Sequence, residues 1–78
     1  MENFSVNSAK SYIGKNVNLH LKDGAVIINV QLIGIHKGSG KNNLIEFTSY
    51  RKRRNIRMPL RNVAWAELLN SNLLQKAA

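Results

Sequence analysis

Arg51, Lys52, Arg53 and Arg54 stand together in the chain, and Arg57 follows closely. So dense a group of cations suits one chemistry above others. Guanidinium groups pair bidentately with phosphate oxygens, and each phosphate they neutralise releases counterions. Such contacts position a nucleic acid without reading its sequence. The same run also fits a solvated hairpin tip whose charge discourages edge-to-edge pairing. Tyr50, beside it, offers a ring for base stacking or a cap for the preceding strand. A second constellation runs from His36 to Asn43. There Lys37 and Lys41 supply charge, Gly38 and Gly40 permit close backbone approach, and Asn42 or Asn43 can hydrogen-bond a base edge. It is not a phosphate-binding loop of the Lys-Ser/Thr type, because that ending is missing and no helix follows. A plain flexible hairpin loop is the competing reading.

Catalysis is not expected. The chain has no cysteine, its only acids are Glu2, Asp23, Glu46 and Glu67, and no Ser-His-Asp set or spaced acid pair stands out. His20 and His36 are the only histidines, too few for a structural zinc site, and no cofactor is implied. His20 alternates with apolar positions and reads as a surface or interface residue. Trp65, the one tryptophan, lies between Ala64 and Ala66 and reads as core or subunit interface.

The elements that must position these residues follow from the periodicity. Asn7 is a candidate N-cap for a short helix over residues 8–12, with Gly14 placed to end it. From Asn16 the period becomes two, with Val17, Leu19 and Leu21 alternating with Asn18 and His20. Lys22, Asp23 and Gly24 make a turn. A long strand from Ala25 to Ile35 begins apolar on both faces, as expected of a bent strand shared by two sides of a barrel. After the His36–Asn43 loop, a third strand spans Leu44 to Tyr50. Ile56, Met58 and Leu60 mark a fourth, with Pro59 expected near its end or at a bulge. Asn62 turns the chain into a fifth, Val63 to Glu67. Residues 1–6 read as a flexible lead-in, 7–68 as the domain, and 69–78 as a tail, a short helix or a frayed end. This is a mostly β chain: one short helix, then a strongly bent five-stranded small barrel.

Size and charge narrow the class. A domain of 78 residues buries only about 60% of the surface its unfolded chain exposes. Without cysteines or zinc, oligomerisation is the remaining common route to stability. Twelve Lys and Arg against four acids give a net charge of +8, which favours a polyanionic partner. The apolar runs are far short of the roughly 20 residues that cross a membrane, and no membrane association is expected. Met1 to Asn7 carry neither a charged n-region nor a hydrophobic h-region, so the expected location is cytoplasmic.

Gly14, Lys15, Val17, Leu19, Leu21, Lys22, Asp23 and Gly24 match, position by position, a pattern of the Sm-like family (Sm, Lsm and Hfq proteins), Gly-Lys-x-Val-x-Val-x-Leu-Lys-Asp-Gly. Gly34 near the end of the next strand, Asn43-Leu-Ile-Glu46, and Asn62-Val-Ala-Trp-Ala66 continue the resemblance over residues 7–68. There are two departures. His36 aligns with an Asp that usually stands four residues before the family's Asn, so this loop is longer. Met58-Pro-Leu-Arg-Asn62 replaces the family's Arg-Gly or Lys-His step.

The resemblance implies a ring of about five to seven subunits closed by edge-strand pairing. It implies single-stranded RNA, U-rich or A-rich, as partner, and action as an RNA chaperone or assembly platform. It would place His36, Lys37, Lys41, Asn43 and Arg61 at pore loops, and Arg51, Lys52, Arg53, Arg54 and Arg57 on an outer basic patch. Two alternatives remain: a ring serving protein contacts as a structural adaptor, and a monomeric basic barrel binding DNA without sequence preference.

Overall fold

The computed structural model describes residues 4–40, 42–49 and 54–69. It contains one short helix, α1 (Val6–Lys10), and five strands: β1 (Asn16–Leu21), β2 (Val26–Lys37), β3 (Asn43–Ser49), β4 (Asn55–Pro59) and β5 (Val63–Leu68). A 3-10 turn, Leu60–Asn62, links the last two strands.

The helix starts earlier than predicted because Ser5, not Asn7, caps it. Ser5 Oγ accepts the Ser8 N–H at 3.1 Å. So short a helix is marginal alone, and packing holds it: Ala9 is fully buried, and Phe4, Val6 and Tyr12 lie against the same core. Phe4 and Val6 thus pack with the fold although the sequence placed them in the lead-in. Gly14 takes a left-handed φ of 85° to turn the chain into β1, and its N–H donates to the Leu32 carbonyl at 2.8 Å.

β1 alternates as predicted, with Val17 and Leu19 fully buried. β2 is longer than expected and takes in His36 and Lys37, while Pro59 ends β4 as its missing N–H requires. The double-sided apolar start of β2 has a different cause from the one inferred. Ile27 packs on the core, but Val26 and Ile28 are exposed on the other face, Ile28 at 69%. Between Val17↔Val30 and Leu19↔Ile27 the register slips by a residue, at a bulge where Asn29 adopts φ 54°. The Asn18 side chain secures that bulge, its Oδ1 accepting the Asn29 N–H at 2.8 Å. Further slips occur between Leu32 and Gly34, and between His20 and Leu21. Bulges of this kind sharpen twist and bend.

All pairings are antiparallel, and the order is β4-β3-β2-β1-β5. The sheet is not closed into a barrel, which corrects the expectation of a barrel: β4 pairs β3, β5 pairs β1, and both outer edges stay free among the described residues. It is nevertheless strongly bent. In a flat sheet, four spacings of about 4.8 Å would part the edges by about 19 Å. The 3-10 turn joining β4 to β5 advances only about 8 Å at its rise of about 2.0 Å per residue. The sheet must therefore curl until the end of β4 approaches the start of β5. Val17, Leu19, Val30, Leu32, Ile45 and Phe47 fill the concave side. No helix among the described residues is long and apolar enough to cross a membrane.

Candidate nucleic-acid interface

Lys37 pairs with Asn43, and Leu44 with Pro59, so the 38–42 turn and the Leu60–Asn62 turn meet at one end of the sheet. Gly38 tightens the first turn. Its N–H donates to the Asn42 carbonyl at 2.6 Å, and a Cβ at Gly38 would stand 2.8 Å from that same oxygen. Asn42 is thereby held facing the second turn, where Arg61 Nη1 donates to Asn42 Oδ1 at 3.2 Å.

Between the turns opens a cleft of about 260 Å³. Asn42, Asn43 and Arg61 are its polar side; Phe4, Pro59 and Leu60 give it an apolar wall. That is below the ~300–1,000 Å³ of sites for drug-sized ligands and suits one planar heterocycle. Asparagine amides offer both donors and acceptors to a base edge, and a guanidinium stacks on aromatic rings or pairs with phosphate.

The structure thus unites two of the residues that the resemblance placed at the pore loops, Asn43 and Arg61, with Asn42, the other asparagine that the loop offered to a base edge. Lys37 is exposed at the end of β2 and, being paired with Asn43, shares its face of the sheet. Lys41 lies outside the described residues. His36 does not belong to the loop: it is a β2 residue paired with Leu44, and its ring bonds to Glu46 on the opposite, outer face. Strand alternation carries it away from the cleft.

Of the basic run, Arg51, Lys52 and Arg53 lie outside the described residues, as does Tyr50. Arg54 is exposed, and its carbonyl accepts the Thr48 hydroxyl at 3.4 Å. Arg57 is less free than its sequence context suggests, since its Nε donates to Glu46 Oε1 at 3.3 Å. Arg54 follows the far end of β3 from Asn43, about 20 Å along the strand. The hairpin end and the cleft are therefore separate places on the sheet.

Glu46 is the buried charge that sequence reading missed. It faces outward from β3 opposite Gly34, is only 7% exposed, and gathers three partners. Asn55 Nδ2 donates to its Oε2 at 2.8 Å, while the His36 Nε2–H and Arg57 reach Oε1. The Asn55 hydrogen bond, then His36 and Arg57, hold its carboxyl below the ordinary value of 4.5 against the opposing effect of burial. Such a carboxylate contributes stability above pH 4.5, and that contribution is lost as the pH falls through its lowered folded value. Glu46→Gln should accordingly flatten the acid limb of the stability profile, measured by denaturant titration from about pH 6 to 3. An unchanged limb would count against the assignment. The available signal was an acid interrupting the apolar strand Leu44–Phe47.

Trp65 is not core: it is 42% exposed on the outer face, stacked on His20 with ring centroids 3.9 Å apart. His20 in turn bonds Glu67 at 3.0 Å, and Asn18 Nδ2 donates to the same oxygen at 3.2 Å. These bonds, that of His20 first, hold the Glu67 carboxyl below its ordinary value. Val26, His20 and Trp65 face one another across β2, β1 and β5. No protein-family model, curated protein or solved structure matches the chain.

Proposed function

We propose that this chain is a binding protein rather than an enzyme, a divergent Sm-like protein that forms a closed ring and holds single-stranded RNA. The observation that carries the reading is the cleft between the 38–42 and 60–62 turns, where Asn42, Asn43 and Arg61 converge over an apolar wall. Single-stranded RNA is a polyanion whose bases are free to enter such a cleft. The net charge of +8 per chain supplies the long-range attraction, and five or more copies would carry about +40. The open sheet supports assembly. An unpaired β4 edge and an unpaired β5 edge on each copy are complementary, and pairing them head to tail removes both liabilities when the rotation closes. In this role the ring acts as an RNA chaperone or assembly platform in the cytoplasm, with U-rich or A-rich strands as its partners.

The deciding experiment is the native mass of the protein stripped of nucleic acid. A discrete closed oligomer of about five to seven copies is the expected result; a monomer at micromolar concentration overturns the ring. A ring that serves protein contacts is favoured by one observation, the outer row of Val26, His20 and Trp65, which contains neither Lys nor Arg. A discrete oligomer with no affinity for single-stranded RNA would select that reading.

A further inference from the structure

Arg61 faces two concavities. Beside the Asn42–Asn43 cleft lies a second, of about 250 Å³, formed by Leu21, Lys22, Asp23, Arg61 and Asn62. Its frame is well tied. The Lys22 N–H donates to the Asn62 carbonyl at 2.9 Å, joining the β1–β2 turn to the 3-10 turn. Within the β1–β2 turn, the Gly24 N–H reaches the Leu21 carbonyl at 3.0 Å. The Asp23 carboxylate also lines the hollow, but its Oδ1 is engaged by the Ala25 N–H at 2.9 Å. Two cations against one carboxylate leave the hollow with a positive excess.

The Lys22 backbone is thus fixed beside the turn that carries Arg61. Only the Lys22 ammonium, on its flexible stem, is left to choose a partner, and no ion pair occupies it among the described residues. A lysine of this kind acts as a point charge toward phosphate. Arg61, whose Nη1 is shared with Asn42, stands at the boundary between a base-sized cleft and this cationic hollow.

We infer that each subunit binds two consecutive nucleotides of a single strand. One base occupies the Asn42–Asn43 cleft, and the phosphodiester leading to the next nucleotide lies over Lys22 and Arg61 in the adjoining hollow. The inference rests on the RNA-binding reading and adds to it a footprint and a direction of travel, from the loop side of Arg61 to the β1–β2 turn. Lys22 contributes affinity without choosing a base, whereas Asn43 chooses the base.

Titration of full-length protein with labelled oligouridylate and oligoadenylate, at several salt concentrations, tests this. Lys22→Gln should weaken both strands alike, about three- to tenfold, and lower the salt slope by about one counterion per engaged subunit while base preference persists. Lys22→Arg should restore affinity, which separates charge from any effect on folding. In competition, UpU or ApA, each with a linking phosphate, should outcompete the corresponding nucleoside with wild-type protein, and the advantage should shrink in Lys22→Gln. If Lys22→Gln leaves affinity and salt slope unchanged while Arg61→Ala still weakens binding, the two-nucleotide footprint is wrong and the cleft survives. If wild-type protein binds neither strand, the RNA-binding reading falls, and this inference falls with it.

Discussion

Arg61→Ala should lower affinity for single-stranded RNA roughly 10- to 100-fold, the loss of about 1.5–3 kcal/mol that a hydrogen bond to a charged group is worth. The reason is position. Arg61 lies on the three-residue turn that joins the two edge strands, borders both concavities and bonds across the cleft to Asn42. Its removal takes away a phosphate partner and a stacking plane, and it also frees the 38–42 turn from its only side-chain link to the 60–62 turn among the described residues. Asn43→Ala should instead change the ratio between oligouridylate and oligoadenylate, because an amide reads a base edge. Alanine at Arg54 and Arg57 should weaken every strand alike and lower the salt slope. Fluorescence anisotropy at matched salt distinguishes the three outcomes. Wild-type affinity in Arg61→Ala would remove the cleft from consideration.

Phe47→Ala should cost about 3–5 kcal/mol, the usual toll of deleting a buried aromatic ring. Phe47 is the largest fully buried side chain, 1% exposed, and it sits on the central part of β3 between Leu32 on β2 and Ile56 on β4. At roughly 0.05–0.15 kcal/mol per residue, a domain of this length has about 4–12 kcal/mol in all. The substitution therefore removes about a quarter or more of the stability and leaves much of the chain unfolded at the lower limit. Denaturant titration followed by circular dichroism, at one protein concentration for every variant, should show the midpoint falling steeply. Ile28→Ala is the control: at 69% exposure its effect on stability should stay within about 0.5 kcal/mol. Equal losses from the two would contradict the assignment of the core.

The two predictions rest on different parts of the fold, Phe47 on a central strand and Arg61 on the turn between β4 and β5. Ile45 and Phe47 look into the core, and Glu46 between them looks out to His36, Asn55 and Arg57. Loss of Phe47 attacks the fold and, through it, every site. Loss of Arg61 attacks one site and should leave the midpoint nearly unchanged, since its side chain is exposed on a surface turn.

Local chemistry was enough to determine the element order. Alternation at Val17, Leu19 and Leu21, the Lys22–Gly24 turn, the glycines of the 38–42 turn and the position of Pro59 are each decided by neighbours a few residues away. They held at the level of one short helix and five strands in sequence. The sequence also placed Asn43 and Arg61 as partners, by resemblance rather than by spacing, and the fold brings them to one cleft.

Long-range pairing decided the rest. Whether β4 and β5 close on each other or remain as edges depends on curvature accumulated over five strands, through bulges that no periodicity announces. Whether Ile28 is core or surface depends on a one-residue slip at Asn29, because each slip moves a side chain to the opposite face. His36 read as a loop residue because a polar, glycine-containing stretch follows it, yet pairing with Leu44 extends β2 through it and delivers it to Glu46. Sequence context read Arg57 as part of a basic patch and Trp65 as core or subunit interface, but only tertiary contact shows the first bonded to Glu46 and the second stacked on His20 and partly exposed. The sequence by itself determined which elements form and what chemistry they carry; the tertiary structure decided which face each residue shows, because that depends on partners far away in the chain.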